Sequence, residues 1–291
     1  MTSVEPPAAT AAAPEGPKRR PRRRRRRRTR DERRRGLVAL LPQLLTTCNL
    51  GAGFFSITLT VSERYDAAAL AIFVAALFDI ADGRVARMAR ATSRFGAEYD
   101  SIADTVSFGV APALLAYGAG ELHVLGWAGW VLAFSYTAGA ALRLARFNVS
   151  PGRYRGRFDG LASPAGAGMV LSAVWFGSFL RGVDLPIDLP PLLAGLGVAA
   201  IGGLMVSPIP YNSFKELDFR GSYRTTVVMV FILIGLIIEP QVTFFVFGLC
   251  YVASGPIGMI WRRRTGRELE EIVREPGETT RATGPDATGS A

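Results

Sequence analysis

The sequence contains one histidine and two cysteines in 291 residues, and this scarcity excludes several kinds of site. Cys48 and Cys250 lack CxxC spacing and further partners, so they predict neither a zinc site nor a disulfide framework. We expect both to be small side chains packed within apolar helices. His123 lies in a short connection between two apolar runs, where it is poorly placed to act as a catalytic base.

Long uncharged runs, by contrast, are frequent. Hydrophobic residues make up 49% of the chain and the mean hydropathy is +0.23, which is too apolar for an ordinary soluble domain with two charged tails. The runs approach the length of a bilayer span. They cover residues 36–62, 66–83, 101–120, 124–142, 164–180, 189–206, 225–238 and 240–261. We therefore predict an all-α integral membrane protein, a polytopic bundle of about eight transmembrane helices, with six or seven also compatible because the seventh run is short.

Positive charge is concentrated near the N-terminus. The net charge is +10, and residues 17–35 hold much of it. The tract lacks interleaved aromatic residues and a folded module, so we expect anionic lipid headgroups rather than nucleic acid as its partner. We expect residues 1–35 to form a disordered Ala/Pro-rich and polybasic tail, 36–264 the membrane domain, and 265–291 a disordered C-terminal tail. No stretch resembles a cleaved signal peptide.

The remaining arginines predict the orientation in the membrane. With the N-terminus placed in the cytoplasm, the outer connections contain only Arg64 and Arg181, whereas the inner connections and the C-terminal end contain many basic residues. This asymmetry follows the positive-inside rule. It predicts a multi-pass protein of the cytoplasmic membrane with both termini in the cytoplasm.

Four aspartates interrupt the apolar sequence between residues 78 and 104. Asp79 and Asp82 are spaced i, i+3, and Asp100 and Asp104 are spaced i, i+4, so each pair shares one face of a helix. Two such pairs can form an oxygen-lined pocket for divalent cations, and Mg²⁺ or Mn²⁺ suits an all-carboxylate site. Phosphoryl-type transfer uses such a pocket, with two metals about 3.5–4 Å apart.

The aspartates are predicted to lie at the cytoplasmic membrane edge, where they could instead cap or anchor the ends of helices. A metal-ion transporter is a functional alternative, although it would need acids near mid-membrane and a route to both faces.

The spacing of these residues also resembles a family signature. The pattern Asp79-x2-Asp82-Gly83-x2-Ala86-Arg87-x8-Gly96-x3-Asp100-x3-Asp104 resembles that of the CDP-alcohol phosphotransferases. The resemblance implies that the first three aspartates bind two metal ions and that Asp104 is the catalytic base and a further candidate ligand. It also implies a CDP-lipid site at Gly83, Ala86, Arg87 and Gly96, where small side chains let a ligand approach the backbone. Helix packing is the alternative role of the glycines.

The first span carries a polar patch. Asn49 is a candidate hydrogen-bond partner of the cytosine ring, and Thr46 beside it is a further candidate for binding the CDP-lipid. A hydrogen bond from a threonine to its own helix backbone is the competing interpretation.

Several segments resemble the serine-using branch of the family, the phosphatidylserine synthases. They are Ser101 after the third aspartate, SFGVAP at 107–112, LPQLLTTCNLGAG at 41–53, RLARFN at 143–148 and SPIPYNSFK at 207–215. The resemblance implies transfer of the phosphatidyl group of CDP-diacylglycerol to L-serine, with release of CMP. Glycerol 3-phosphate and an inositol phosphate remain alternative acceptors. A homodimer is a further expectation.

Four polar residues are candidates for binding the acceptor or a phosphate: Arg143, Arg146, Asn148 and Ser101. A guanidinium can hold a carboxylate or phosphate in a fork. Both arginines lie at the cytoplasmic end of a predicted span, so snorkelling membrane anchors are the alternative.

Overall fold

Helices begin and end close to the apolar runs of the sequence. The computed structural model describes residues 30–89, 93–149, 157–185, 189–212 and 233–265. The helices are α1 (Arg30–Val61), α2 (Tyr65–Ala89), α3 (Arg94–Asp104), the π-helical turn π1 (Thr105–Val110), α4 (Ala111–Ala119), a 3₁₀ turn (Leu122–Leu125), α5 (Trp127–Val149), α6 (Ser163–Gly182), α7 (Pro191–Val206) and α8 (Pro240–Thr265). Residues 233–238 are also helical. Two short strands, β1 (Arg157–Asp159) and β2 (Pro210–Asn212), complete the described elements.

The described chain has the surface of a membrane protein. Four stretches within it are long and apolar enough to cross a bilayer: Leu41–Val61, Arg94–Ala119, Ser163–Gly182 and Pro240–Arg262. Large apolar side chains cover the outside of these helices, as Phe54 does with 63% of its surface exposed. Such a surface is stable in lipid and would aggregate in water. The predicted all-α membrane class is confirmed, whereas the number of spans stays a prediction because residues 213–232 lie outside the described ranges.

The N-terminal helix and the two cysteines differ from what the sequence predicts. Helix α1 already begins at Arg30, within the segment predicted as an N-terminal tail. Residues 1–29 and 266–291 lie outside the described residues, so their disorder stays a prediction. Cys48 and Cys250 are exposed and form no disulfide. The expectation that they pack between helices is therefore wrong, since an apolar thiol is also compatible with a lipid-facing surface.

One face of α2 is built from alanines, and it forms the centre of the main core. Ala68, Ala69 and Ala75 are fully buried on this face. They pack in one cluster with Phe108 of π1 and Leu171 of α6. Small side chains let the neighbouring helices approach closely, which is a common way of packing helices in membranes.

Two glycines bring α5 and α7 into backbone contact. A Cβ atom on Gly139 would lie 2.4 Å from the carbonyl oxygen of Gly202, and one on Gly202 would lie 2.7 Å from Cα of Tyr136. Both distances are too short for any side chain. The close crossing places the C-terminal end of α5 beside the end of α7.

The π-helical turn follows Asp104 directly and is tied to two other helices by side-chain hydrogen bonds. The backbone hydrogen bonds of a π turn run between residues five apart, and side-chain hydroxyls add further bonds around this one. The hydroxyl of Tyr136 donates to the Phe108 carbonyl over 3.2 Å, and that of Thr137 donates to the Gly109 carbonyl over 3.3 Å. Ser107 donates to the carbonyl of Asn49 on α1 over 3.0 Å. These bonds fix the position of Asp104 relative to α1.

A short antiparallel ribbon joins the segments after α5 and after α7. Strands β1 and β2 pair with Phe158 opposite Tyr211 and Asp159 opposite Pro210. The turn that follows β1 needs glycine, because Gly160 has φ +78° and a Cβ there would lie 2.3 Å from the Met205 carbonyl oxygen. The all-helical sequence prediction did not include this ribbon, which brings Asp159 close to the end of α5.

Candidate functional site

Three aspartates from two helices converge at one point. Asp79 and Asp82 lie on α2 and Asp100 lies on α3, and one carboxylate oxygen from each lies within 4.8 Å of the others. Asp82 is buried, with 5% of its surface exposed, and the other two are half-buried. The i, i+3 spacing on α2 therefore produces the shared face that the sequence predicts.

Thr46 of α1 holds one of these carboxylates. Its hydroxyl lies 3.0 Å from Oδ2 of Asp82 and 3.0 Å from the carbonyl oxygen of Pro42. A hydroxyl has a single proton, so it donates to one of the two acceptors at a time. Thr46 can therefore make the hydrogen bond to its own helix backbone that was considered from the sequence. It can also make a hydrogen bond to Asp82, which was not predicted.

Asp104 is not one of the three aspartates whose oxygens lie within 4.8 Å of one another, but it is near enough to interact with all three electrostatically. It lies one turn after Asp100, is almost fully buried, and its Oδ1 accepts a hydrogen bond of 3.1 Å from Nδ2 of Asn49. Asn49 is fully buried, and its Oδ1 has no hydrogen-bond partner among the described residues. Helix α1 therefore contacts two of the four aspartates with two polar side chains, Thr46 and Asn49, three positions apart.

The described residues form no salt bridge that would balance the charge of the four carboxylates, although Arg143 interacts electrostatically with Asp104. Oδ1 of Asp100 is buried and has no hydrogen-bond partner in the described chain. Buried carboxylates without compensation are strongly unfavourable, so this arrangement favours the binding of a cation.

The signature glycines each lie against one polar side chain near the aspartates. A Cβ on Gly83 would meet only the guanidinium of Arg87, at 3.5 Å, so the Arg87 side chain folds back over this glycine. Ala86, one turn after Asp82, is half-buried. Gly96 lies in the first turn of α3, where its N–H donates to Oγ of the N-cap residue Ser93 over 2.9 Å. This face therefore has small side chains beside the guanidinium of Arg87.

The structure separates the two candidate arginines of α5. Arg143 donates from Nη1 to Oγ of Ser163 over 3.2 Å. Arg146 instead lies 3.6 Å from the carboxylate of Asp159 and donates to the Val206 carbonyl over 3.4 Å.

The other two acceptor candidates are in contact with each other. Nδ2 of Asn148 donates to Oγ of Ser101 over 2.9 Å, and that hydroxyl in turn donates to the Ala97 carbonyl over 3.0 Å. This contact joins the end of α5 to α3, which carries Asp100 and Asp104.

Three residues that surround these arginines were not predicted from the sequence to have a role. Ser163 begins α6 and Asp159 ends β1, and Tyr251 of α8 interacts electrostatically with Arg143. Ser163 lies in the segment GLASPAGAG at 160–168, which departs slightly from the GLPSPAAAG-like sequence usual in the family but was a usable signal. Asp159 and Tyr251 had no such signal because their partners are distant in the sequence.

Together these residues form a site for metal-assisted transfer at a phosphate. A carboxylate triad can bind divalent cations, and a separate, hydrogen-bonded carboxylate can accept a proton. A cationic side chain beside small residues can contact a phosphate, and a half-buried arginine can bind an anion.

Comparison with known proteins agrees with this chemistry. Residues 39–255 match the family model of CDP-alcohol phosphatidyltransferases. The chain is similar to the CDP-diacylglycerol–serine O-phosphatidyltransferase of Helicobacter pylori strain J99, with 33% identity over 227 residues that cover 76% of this chain and 92% of the relative. The Mycobacterium bovis enzyme of the same name is 30% identical over 251 residues, covering 78% and 80%. An archaetidylserine synthase of Methanothermobacter thermautotrophicus is 35% identical over 180 residues, covering 59% and 69%.

Proposed function

Because the chain belongs to the CDP-alcohol phosphatidyltransferase family, we propose that it transfers the phosphatidyl group of CDP-diacylglycerol to the hydroxyl of L-serine. The products are phosphatidylserine and CMP. The observation that carries the proposal is the division of the four aspartates into a triad within 4.8 Å and a separate, hydrogen-bonded Asp104. The similar proteins named for serine as acceptor support the choice of acceptor.

The residues of the triad fit a divalent cation. Asp79, Asp82 and Asp100 offer only carboxylate oxygens, which are the donors that Mg²⁺ and Mn²⁺ prefer. The buried Oδ1 of Asp100, which has no partner among the described residues, is an available ligand atom. We propose that these three residues hold the metal, with two ions as the expected number. When bound, such ions neutralise charge on the pyrophosphate and on the departing CMP.

Asp104 is the proposed general base. The serine hydroxyl gives its proton to the Asp104 carboxylate while its oxygen forms a bond to the lipid-side phosphorus. The bond from that phosphorus to the CMP oxygen breaks, and the electron pair leaves with CMP. A hydroxyl is a poor nucleophile at neutral pH, and a positioned base contributes about 10²–10⁴-fold to the rate. Asn49 orients the base through the 3.1 Å hydrogen bond to Oδ1.

The CDP-lipid is proposed to lie against the signature residues of α2 and α3. Gly83 and Ala86 let the pyrophosphate approach the helix backbone, and Arg87 supplies a cation at this face. Gly96 likewise lets the CDP-lipid approach the helix backbone, at the first turn of α3. We propose that Thr46 and Asn49 act through the carboxylates that they contact, Thr46 by orienting Asp82 as a ligand.

The setting of the enzyme is also a proposal. The positive-inside pattern supports a multi-pass protein of the cytoplasmic membrane with both termini in the cytoplasm. The polybasic tract supports binding to anionic lipids, and a homodimer is expected. Labelling of single cysteines introduced near each terminus, in intact and opened vesicles, tests the orientation, and cross-linking in membranes tests the dimer.

The proposed reaction can be tested with the purified protein in lipid vesicles. CDP-diacylglycerol and L-serine should give phosphatidylserine and CMP in a one-to-one ratio, detected by mass spectrometry. A chelator should stop both products, and added Mg²⁺ or Mn²⁺ should restore them. Lipid product without CMP, or full activity in excess chelator, would contradict the proposal.

A further inference from the structure

Two arginines one turn apart on α5 lie in different electrostatic surroundings. Arg146 has a carboxylate partner, Asp159, at 3.6 Å, and also donates to the Val206 carbonyl at the end of α7. Its charge is therefore matched within the protein, and its contacts tie α5 to β1 and α7. Such a residue stabilises the fold and has little remaining capacity for a substrate anion.

The surroundings of Arg143 are different. Its charge cannot be removed by deprotonation, and in the described chain no carboxylate forms an ion pair with it. Ser163 accepts from Nη1, whereas the buried Nε has no acceptor among the described residues. A guanidinium has five N–H donors in a planar fork, so the Nε edge remains available for a planar two-oxygen partner.

The position of Arg143 relates it to the reacting centre. The guanidinium lies close enough to the carboxylate of Asp104 and to the phenol of Tyr251 to interact electrostatically with both. Asp104 is the proposed base, so an acceptor carboxylate held by Arg143 would lie in the electrostatic surroundings of that base. Ser163 and Tyr251 border the guanidinium from α6 and α8.

We infer that Arg143 is the specificity-determining residue that binds the carboxylate of the acceptor, and that Arg146 is not part of this subsite. The inference rests on the proposed function and assigns one part of the acceptor to one residue. L-Serine carries one carboxylate and no phosphate. One guanidinium that forms no salt bridge with a described carboxylate can balance that single negative charge. Ser163 holds the guanidinium in place through its hydroxyl.

The test pairs a change in the protein with a change in the substrate. L-Serinamide keeps the hydroxyl and amine of serine but replaces the carboxylate by a neutral amide. Wild type, Arg143→Gln, Arg143→Lys and Arg146→Gln are compared for CMP release with L-serine and with L-serinamide at saturating CDP-diacylglycerol, and then with varied CDP-diacylglycerol at saturating L-serine. The inhibition constant of serinamide against serine is used where its turnover is too slow to measure.

We expect Arg143→Gln to raise the KM for L-serine roughly tenfold or more, in line with the loss of a charge-assisted hydrogen bond. Its constants for L-serinamide and for CDP-diacylglycerol should change much less. Arg143→Lys should be intermediate, because lysine keeps the charge but not the fork. Arg146→Gln should lower the melting temperature while keeping the wild-type ratio between the two acceptors.

Several results would overturn the inference. Equal effects of Arg143→Gln on serine and serinamide would assign Arg143 a structural role only. A selective rise in the KM for CDP-diacylglycerol would assign it to the lipid phosphate, and a change of acceptor ratio in Arg146→Gln alone would place the subsite at Arg146. In each of these cases wild type still uses L-serine, so the proposed function stands. Failure of wild type to release CMP with L-serine would overturn both.

Discussion

Asn49 of α1 donates a hydrogen bond of 3.1 Å from Nδ2 to Oδ1 of Asp104 on α3. Both side chains are buried, and 55 residues separate them in the sequence. The neighbouring backbone strengthens the connection, since the carbonyl of Asn49 accepts a hydrogen bond from Ser107, three residues after Asp104. Helix α1 therefore contributes directly to the orientation of the proposed base.

Replacement of Asn49 by alanine tests this orientation. We expect kcat to fall about tenfold, because the carboxylate of Asp104 loses the donor that fixes it, which amounts to the loss of one hydrogen bond to a charged group. The KM for L-serine should change less. Ser56→Ala is the control, since Ser56 is also fully buried on α1 but donates to the Ala68 carbonyl instead of a carboxylate. Equal kcat values for Asn49→Ala and wild type would show that Asp104 needs no such partner.

Asp104→Asn tests the base itself. Asparagine keeps the size and the capacity to accept a hydrogen bond but cannot take the proton, so turnover should fall at least about 10²-fold with folding retained. Melting temperature and steady-state CMP release are the two measurements. Asp66→Asn is a matched control at the opposite end of α2, where the carboxylate accepts from Ser178 over 2.7 Å. Near-normal turnover of Asp104→Asn would remove this residue from its role.

The metal ligands can be tested without relying on activity alone. Asp79→Ala, Asp82→Ala and Asp100→Ala should each abolish CMP release, because each removes one of three oxygens that lie within 4.8 Å. They should also weaken Mn²⁺ binding, measured as the fraction of free Mn²⁺ by electron paramagnetic resonance. Asp66→Asn again serves as the control. Unchanged Mn²⁺ binding in all three variants would contradict the assignment.

Thr46→Val gives a finer test of the same site. Valine has nearly the shape of threonine but cannot donate the 3.0 Å hydrogen bond to Asp82. We expect a several-fold weaker Mn²⁺ affinity, since the partners of a ligand typically contribute 10–100-fold to metal affinity. Thr60→Val is a suitable control, because the Thr60 hydroxyl donates to the Ser56 carbonyl of its own helix. An affinity equal to that of wild type would make Thr46 a helix-backbone residue only.

The sequence predicted those parts of the site that depend on short-range spacing. The shared face of Asp79 and Asp82 follows from helical periodicity, and the helices follow the long apolar runs. Contacts between distant residues could not be read in the same way. Thr46 meets Asp82 across 36 residues, and nothing in either local pattern specifies that pairing. The ribbon was missed because three-residue strands have too few positions to establish a period.

The two arginines of α5 show the same limit. The RLARFN segment made both Arg143 and Arg146 candidates for binding the acceptor or a phosphate. Nothing in the sequence distinguished one arginine from the other. Only the packing distinguishes them, because β1 brings Asp159 to Arg146 and α6 brings Ser163 to Arg143. Burial and partner identity depend on tertiary structure, which a single sequence encodes only indirectly.

The close crossing of α5 and α7 predicts a steric effect on stability. Gly139→Ala would place a Cβ 2.4 Å from the Gly202 carbonyl oxygen, so the helices must separate, at a cost of about 1–3 kcal/mol. Gly197→Ala on α7 is the matched control, because no atom lies within 4 Å of its Cβ position. We expect a lower melting temperature in detergent for Gly139→Ala and an unchanged or slightly higher one for Gly197→Ala. Equal melting temperatures for the two variants would contradict the close crossing.

The identity of the acceptor is the central claim, and a direct competition of acceptors tests it. Purified protein in vesicles containing CDP-diacylglycerol is given L-serine, glycerol 3-phosphate or an inositol phosphate at equal concentration, and the initial rate of CMP release is measured for each. Faster release with L-serine, together with one phosphatidylserine for each CMP, is the predicted result. Faster release with glycerol 3-phosphate or with the inositol phosphate would contradict it.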